Sequence, residues 1–569
     1  MPRSFLLVVV CVALVSNTGA SLARNQSARD PRLDQNVSAT VDQVLTAAKH
    51  PGLTWGSISD VAAGLKPMYD AEPDRLVWFD GATPSSSLET TLATVRAAGD
   101  HGLNPADYDA ETLSQEWSAV VRGSVSPRDR AYFDLGVSVA CARMLRAVHA
   151  GRVDPATMDW GYDITPKQVD VAETLRRVSH GTPLSTALDS LQPPFSHYLR
   201  ARRALAAYRT LAQAGEPDAV PDLPKPRAKV EPRQSWVGVP QLAARLRILG
   251  DLPAGTLESG STYTGPLADA VKRFQMRHGL DADGVIGPGT LRAINVPLAR
   301  RVRQIELAME RMRWLPQLSD RPNVFVNVPL FRMWADDPST GAEPLRMNVV
   351  VGQSLNHKTP IFVERMEYVI FRPYWNPPHS IVVNEIVPKA RKDPGYMARE
   401  ALEIVASDDE SAAALPPTPD NLTLLAAGKL RVRQKPGPSN SLGLAKFIFP
   451  NDDNVYMHGT PAQALFSRVR RDFSHGCIRL EDPARFAEWV LRDQPDWSRA
   501  RIDEAMHEEH PTRVNLKAPL TVVLFYDTVH VNSENVVFFV DDIYGHDRAL
   551  EGALAGGYPY PVKRAIPNP

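Results

Sequence analysis

The chain changes its hydrophobic pattern across a proline-rich segment, and this change limits its fold more than any other feature. In residues 41–213, apolar residues recur mostly at helical spacing, which predicts a helical scaffold domain. Residues 214–235 hold five prolines among charged residues, a composition typical of a linker. Alternating apolar runs such as residues 324–328 are typical of strands. The sequence therefore predicts a multidomain α+β protein whose helical part comes first.

The second half of the chain is expected to be mainly β, with a few helices. Late strands are predicted at 520–526 and 535–540, and helices at 462–471 and 482–492. With 569 residues, of which 43% are hydrophobic, the chain can build several ordinary cores. Its net charge of -1 argues against a nucleic-acid-binding protein, which would usually carry a basic domain.

The N-terminus has the features of a secretory signal peptide, predicted to span residues 1–23. Arg3 supplies a positive charge, and residues 5–15 form an uninterrupted apolar run that is too short to cross a bilayer. Small residues allow cleavage after Ala20 or Ala23. The mature protein is thus expected to be exported to the periplasm, the alternative being an uncleaved N-terminal anchor.

A compact unit of three short helices is predicted at residues 236–298, followed by an amphipathic linking helix at 299–316. Charged residues of that helix, such as Glu310 and Arg313, fall largely outside its apolar face. The compact unit resembles the peptidoglycan-binding type 1 domain, and the alternative is a structural spacer that has lost glycan binding. The resemblance rests on Phe274-Gln275, His278-Gly279-Leu280 and Asp283-Gly284-Val285-Ile286-Gly287.

The chain has three cysteines, and only one of them requires a chemical explanation. Cys11 lies inside the predicted signal peptide, and Cys141 lies in an apolar helical stretch where a small buried side chain is expected. Cys477, in contrast, follows Ser474-His475-Gly476, a segment too polar for an ordinary core. A disulfide framework is therefore improbable, and Cys477 is a candidate nucleophile.

Two histidines, His458 and His475, precede Cys477 by no more than 19 residues. A thiol attacks as its thiolate, which requires a lowered pKa or a nearby base. Arg479 adds a positive charge that could favour the thiolate or bind a substrate carboxylate. The alternative is a zinc site built from both histidines and the cysteine, although the usual ligand spacing and a fourth ligand are missing.

These motifs resemble those of YkuD-type L,D-transpeptidases, in particular the large YcbB-like branch with its scaffold and peptidoglycan-binding domains. The resemblance implies a catalytic domain at 320–550 with a substrate-capping insertion at about 375–445. It also implies that Trp375 and Tyr396 are lid aromatics, although Trp375 could equally be a packing anchor. The segments that carry the resemblance are His458-Gly459-Thr460, Ser474-His475-Gly476-Cys477-Ile478-Arg479, Val351-Gly352, Thr359-Pro360, Arg372-Pro373-Tyr374-Trp375-Asn376-Pro377-Pro378, the stretch from Lys435 to Gly443, and Lys446-Phe447-Ile448-Phe449-Pro450-Asn451.

The same resemblance assigns roles to individual residues. It implies that Cys477 is the nucleophile, that His458 takes its proton, and that the Gly459 carbonyl orients that histidine. Backbone N–H groups near Gly476 and Cys477 are candidates for an oxyanion hole. The remaining implied site residues are the supporting Ser474, His475, Gly476 and Arg479 and the substrate-binding Trp375, Tyr396 and Tyr456.

The implied reaction joins two peptidoglycan stem peptides during cell wall biogenesis, with consequences for cell shape. Cys477 would attack the third residue of a tetrapeptide stem, release D-alanine and pass the acyl group from a thioester to a second stem, giving a 3→3 cross-link. The resemblance implies no metal or nucleotide cofactor, and it implies carbapenems as covalent inhibitors. Expected partners are stem peptides, glycan and cell-wall synthesis proteins. The alternatives are an L,D-carboxypeptidase, an enzyme that anchors proteins to peptidoglycan, and a non-catalytic wall-binding protein.

Overall fold

The computed structural model describes residues 31–72, 75–226, 228–255, 260–316, 318, 322–353 and 357–562. The predicted signal peptide at residues 1–23 lies outside these residues. Among them, we find no helix with the length and apolar character that crossing a membrane requires.

The N-terminal domain is built around a long helix that is buried on nearly every side, Pro127–Ala150. Its first turn is fixed by Ser126, whose hydroxyl accepts a hydrogen bond from the Asp129 N–H, and by the proline at the first helical position. Cys141 lies on this helix and is fully buried, as the apolar pattern predicted. The longer helices of this domain are Pro31–Ala47, Ala62–Ala71, Leu88–Arg96, Ala110–Val121, Pro127–Ala150, Val171–Ser179, Leu184–Leu191 and Ser196–Gln213.

The next unit has a small core of its own, formed by the helices Val239–Ile248, Gly265–Arg277 and Pro288–Ile294. The proline-rich segment before it packs along this unit. Val220 and Val230 are buried in the unit's core, and the Val220 backbone exchanges two hydrogen bonds with the Asn295 side chain, at 2.9 and 2.8 Å. The segment is therefore tied to the unit along much of its length.

The helix Leu298–Trp314 connects the small unit to the C-terminal domain and lies at the centre of the molecule. Its charged residues were expected largely outside the apolar face, yet Glu310 and Arg313 are fully buried. Glu310 forms ion pairs with Arg313 at 3.0 Å and with Arg152 of the N-terminal domain at 3.4 Å. The polar side of this helix thus faces a domain interface, where ion pairs replace the water that a surface helix would contact.

A nine-stranded sheet forms the C-terminal domain. Leu345–Gly352 pairs with strands from both ends of the sheet order, which closes the sheet into a barrel-like shape. This mainly-β domain, together with the two helical parts, confirms the expected multidomain α+β class. The strands lie in the order Asp472–Ser474, Leu345–Gly352, Ile478–Leu480, Met457–His458, Ala445–Ile448, Phe362–Phe371, Thr512–Phe525, Asn323–Asn327 and Arg332–Asp336.

Elements around the sheet depart from the sequence pattern in two places. The predicted helix at 462–471 is reduced to the single 3₁₀ segment Gln463–Ser467, because the chain enters the strand Asp472–Ser474 directly afterwards. The predicted strand at 535–540 is Val537–Phe539, and it pairs with Val529–Val531 outside the main sheet. The remaining helices of this domain are Pro483–Val490, Arg499–Ala505 and His546–Ala555.

An insertion occupies the connection between two adjacent strands of the sheet, Phe362–Phe371 and Ala445–Ile448. It has its own apolar core, which includes Ile386 and Val432. We call this insertion the cap. Its elements are the continuous helical run His379–Ile381, Val382–Ile386 and Val387–Lys392, the helices Tyr396–Arg399 and Pro419–Ala426, and the paired strands Leu402–Val405 and Arg431–Gln434.

Candidate active site

Strand pairing brings the two sequence motifs together. Met457–His458 and Ile478–Leu480 are parallel neighbours in the sheet, and His458 lies opposite Arg479 in their register. The Ile478 N–H donates a 3.0 Å hydrogen bond to the Tyr456 carbonyl, which fixes the two strands at the point where each begins. Cys477 immediately precedes Ile478–Leu480, so it lies at the end of a central strand that pairs with the strand holding His458.

The turn before Cys477 is held by one buried hydroxyl. Ser474 Oγ donates to the Cys477 carbonyl at 2.6 Å and accepts from the Gly476 N–H at 3.2 Å. Gly476 has φ +113°, a conformation that residues with a Cβ rarely adopt. The Ser-His-Gly-Cys order therefore has a structural basis, since the serine closes the turn and the glycine permits it.

Two residues distant in sequence hold the same turn from its other side. Thr359 Oγ1 donates to the Gly476 carbonyl at 2.7 Å and accepts from the Gly352 N–H at 2.9 Å. Tyr544 Oη donates to the Gly352 carbonyl at 2.6 Å and accepts from the Thr359 N–H at 3.2 Å. A Cβ on Gly352 would collide with the His357 carbonyl oxygen and the Thr359 nitrogen, so this close approach requires glycine.

The Cys477 thiol is half-buried and faces the Asn454 carbonyl, with 3.9 Å between sulfur and oxygen. Burial raises the pKa of the thiol, while the Tyr456 N–H, Lys446, the Tyr456 hydroxyl and Arg479 all act in the opposite direction. Because the burial effect is the largest, the thiol is protonated at neutral pH in the resting site.

His458 is buried, and its Nδ1 lies 2.5 Å from the Gly459 carbonyl oxygen. Burial, followed by the positive charge of Arg479, lowers the pKa of His458 to about 3. The ring is therefore neutral, with its proton on Nδ1 and a lone pair on Nε2. Among the described residues, no hydrogen bond joins this imidazole to the thiol; the ring bonds the Gly459 carbonyl and the thiol faces the Asn454 carbonyl.

The two backbone N–H groups predicted for an oxyanion hole differ in whether a hydrogen-bond acceptor already engages them. The Gly476 N–H is engaged by Ser474 Oγ. The Cys477 N–H donates to none of the groups in the described part of the chain. It is therefore the donor that remains free for an oxygen atom next to the thiol.

His475 points away from the thiol and towards the cap. Its Nε2 lies 3.0 Å from Glu385 Oε1, and Glu385 also pairs with Lys389 at 3.5 Å within the cap. The ring of His357 lies 4.6 Å from the His475 ring, measured between centroids. The cap thus contacts the nucleophile turn through Glu385.

The three predicted substrate-binding aromatics lie in different places. Tyr456 is at the site, with its ring 5.7 Å from the His458 ring and 4.0 Å from the Lys446 ammonium. Trp375 is half-buried at the base of the cap, where its backbone pairs with Gln434. Tyr396 packs against the core of the cap and makes no described contact with Cys477 or His458.

The zinc alternative does not fit this arrangement. His458 Nδ1 is bonded to the Gly459 carbonyl, and His475 faces Glu385. In the residues that the structure describes, no group of three or more His, Cys, Asp or Glu side chains is placed to hold a metal ion.

Sequence reasoning assigned no function to four residues that the structure places around the site. Thr359 and Tyr544 support the turn, Glu385 reaches it from the cap, and Lys446 lies beside Tyr456. The Thr359-Pro360 and Lys446-Phe447 segments were part of the resemblance but carried no role, whereas Tyr544 and Glu385 had no local signal at all.

Three protein-family models match separate segments of the chain. A scaffold domain model matches residues 63–205, and a "Putative peptidoglycan binding domain" model matches 237–294. The model of the YkuD family, described as an L,D-transpeptidase catalytic domain, matches 321–515. This chain carries a YkuD-family L,D-transpeptidase catalytic domain. The match includes both motifs at the site, together with Thr359, Glu385 and Lys446.

A curated relative supports the assignment of this L,D-transpeptidase domain. A protein of Haemophilus influenzae named "Putative L,D-transpeptidase" is 28% identical over 250 residues. The match covers 44% of this chain and 49% of the relative, so this chain spans about half the length of the relative it matches.

The contact between the cap and the turn leads to a first prediction. In a Glu385→Gln variant, the cap should be held less firmly against the turn. The neutral amide lacks the negative charge that the carboxylate presents to His475 and Lys389. Hydrogen exchange of residues 379–392 should become several-fold faster. The free energy of unfolding should change by less than about 1 kcal/mol, since exposed ion pairs contribute little.

Lys389→Gln is the matched control, because it removes the partner of Glu385 within the cap but leaves the contact with His475. The rate of hydrogen exchange in Lys389→Gln should stay closer to that of the wild type. Equal exchange in the wild type and the Glu385→Gln variant would show that this contact does not hold the cap.

Proposed function

We propose that the protein is a cysteine-dependent L,D-transpeptidase that forms 3→3 cross-links between peptidoglycan stem peptides. One observation carries the proposal: in an L,D-transpeptidase domain, the strand that holds the neutral imidazole of His458 pairs with the strand that directly follows the Cys477 thiol. The roles follow from that arrangement, with Cys477 as nucleophile, His458 as base and the Gly459 carbonyl as the group that orients the base.

In the first step, the Cys477 thiol gives its proton to His458 Nε2 while sulfur attacks the carbonyl of the third stem residue. The two resting groups are both neutral, so the proton moves from sulfur to the imidazole within this step. The developing oxyanion accepts a hydrogen bond from the Cys477 N–H. The C–N bond then breaks, and the D-alanine amine leaves with the proton from His458. The acyl group remains on sulfur as a thioester.

In the second step, an amine from another stem attacks the thioester. His458 takes a proton from that amine and returns one to the Cys477 sulfur as the thiol leaves. The acyl acceptor distinguishes this reaction from two similar ones. Water as acceptor would make the protein a carboxypeptidase, and a protein lysine would make it an anchoring enzyme. The scaffold and the peptidoglycan-binding domain favour a stem amine, because they add surface for a polymeric acceptor.

We further propose that this reaction takes place in the periplasm, a location that the signal-peptide features of residues 1–23 support. The substrate would be exported peptidoglycan, with the 237–294 domain binding glycan and other cell-wall synthesis proteins acting as partners. Carbapenems would acylate the Cys477 thiol in place of the stem carbonyl.

The proposal is tested by incubating residues 24–569 with purified tetrapeptide disaccharides and weighing the products. Dimers that lack one D-alanine are expected. Tripeptides without dimers would replace cross-linking with the carboxypeptidase reaction, and transfer only to a lysine-containing wall protein would indicate anchoring. If no product forms and a carbapenem leaves the mass of the protein unchanged, the chain is a non-catalytic wall-binding protein.

A further inference from the structure

Two positive charges flank the active-site imidazole in a single row across the sheet. In the pairing register, Lys446 of Ala445–Ile448 lies opposite His458, and His458 lies opposite Arg479 of Ile478–Leu480. Side chains at paired positions share one face of a sheet. Their neighbours along the strands, including Phe447 and Ile478, point to the other face and are fully buried in the core. The row Lys446–His458–Arg479 therefore lies on the outer face of the barrel.

Neither of these cations has a carboxylate partner among the described residues. Lys446 forms no ion pair there, and its ammonium lies 4.0 Å from the centroid of the Tyr456 ring. Arg479 has a buried Nε without a hydrogen-bond partner. Burial lowers the pKa of both side chains, which shows that each charge is poorly solvated. Partly buried charges without counter-ions are unfavourable, so this pair of residues favours binding of an anion.

The thiolate of Cys477 is one anion that both cations would attract, because an ionised Cys477 raises the pKa of each. The thiolate compensates the two positive charges only briefly, however. The resting thiol is neutral and so is the thioester, which leaves both charges uncompensated during most of the reaction cycle. A second anion that remains on the substrate would compensate them whenever a donor is bound.

We propose that Lys446 and Arg479 form a carboxylate-binding site that selects the donor stem. The inference rests on the proposed function, since a tetrapeptide donor presents a free carboxylate one residue beyond the bond that breaks. A third residue that is a diaminodicarboxylic acid would present another carboxylate on its side chain. Both groups share the chemistry that a lysine and an arginine recognise.

The test compares kcat/KM of the wild-type mature protein and a Lys446→Met variant with four synthetic donors. The donors end in a carboxylate or a carboxamide, and each is made with lysine or with a diaminodicarboxylic acid as third residue. Lys446→Met should lose about 10- to 100-fold in kcat/KM with the carboxylate that the site binds, the usual effect of one charge-assisted hydrogen bond. With donors that lack this carboxylate, the loss in kcat/KM should be at least about fivefold smaller, since only the effect of Lys446 on the thiol remains.

The four donors also identify the source of the carboxylate. A loss that disappears with the terminal carboxamide assigns the site to the D-alanine carboxylate. A loss that disappears with lysine as third residue assigns it to the side-chain carboxylate. Equal losses with all four donors would overturn the proposal, because the lysine would then act on the thiol or the fold and not on a carboxylate.

Three controls separate these outcomes. Lys429→Met makes the same substitution at an exposed lysine of the cap and should match the wild type with every donor. Lys446→Arg should restore the preference for the carboxylate donor. The pH dependence of Cys477 alkylation by iodoacetamide reports the thiol separately, and a donor-independent loss with a shifted alkylation profile would assign Lys446 to thiolate stabilisation alone.

Protection of Cys477 gives a readout besides product formation, which keeps this inference separate from the proposed function. Carboxylate donors should protect wild-type Cys477 from iodoacetamide at lower concentration than carboxamide donors do, and Lys446→Met should remove that difference. If the protein forms no product but protection still depends on the carboxylate, the proposed reaction fails while the site stands. If the products form as proposed but protection is equal for both donors, the site fails alone.

Discussion

Cys477→Ala is expected to eliminate product formation, with a fall in the rate of dimer formation of at least about 10³-fold. The alanine has no atom that can form a thioester, and the neighbouring imidazole has no proton to accept from it. The measurement is the mass spectrum of muropeptide products from tetrapeptide disaccharides. Intact-protein mass after carbapenem treatment gives a second readout, with an adduct on the wild type and none on the variant.

Cys141→Ala is the matched control, since it makes the same substitution at the other cysteine of the described chain. Cys141 is fully buried in the helix Pro127–Ala150, and burial raises the pKa of its thiol above the usual range. This variant should keep both the dimers and the carbapenem adduct. The nucleophile would be misassigned if Cys477→Ala still produced dimers.

His458→Gln is expected to lower kcat/KM by about 10²- to 10⁴-fold, the usual contribution of a positioned base. Glutamine has a similar reach but cannot accept a proton at neutral pH. The variant should react with a carbapenem slowly, because the thiol is still present but is no longer deprotonated during attack. Single-turnover acylation followed by mass spectrometry measures this rate directly.

The pH profile of the wild type gives a further test of the same base. The pKa of His458 is lowered to about 3, so the imidazole is neutral and able to accept a proton at every pH above that value. Protonation of His458 should therefore cause no loss of kcat/KM between about pH 8 and pH 5. An acidic limb with an apparent pKa near 6.5, absent from His458→Gln, would show that the resting base is more exposed than this geometry implies.

His475→Gln is the matched control for the second histidine. His475 is exposed and faces Glu385 of the cap, so we expect less than about a tenfold loss in kcat/KM. A larger loss at His475 than at His458 would reverse the assignment of the two residues.

The sequence was sufficient for those parts of the site whose residues are close along the chain. Ser474, Gly476 and Cys477 lie within one turn, and the polar character of this segment was enough to make Cys477 a candidate nucleophile. The placement of His458 beside Cys477 depended on the family resemblance, because parallel pairing of two short strands leaves no local pattern.

The long-range supports of the site could not be predicted in this way. Tyr544 reaches Gly352 across 192 residues, and although Val351-Gly352 was part of the resemblance, nothing in the segment of Tyr544 pointed to the site. Glu385 lies in a helix of the cap, and its charge is typical of an ordinary solvated face. Tyr396 packs against the core of the cap, and its role as a lid aromatic stays a prediction.

The buried charges of the helix Leu298–Trp314 determine how far this protein can be taken apart. Arg311 bonds Asp547 at 2.6 Å and lies 3.4 Å from Asp527, and both carboxylates belong to the C-terminal domain. A fragment that begins at residue 320 would keep these carboxylates and lose their arginine. If catalytic domains are exchanged between homologues, the helix must therefore be transferred together with the C-terminal domain. Arg152 of the N-terminal domain must be transferred as well, because it pairs with Glu310 of that helix.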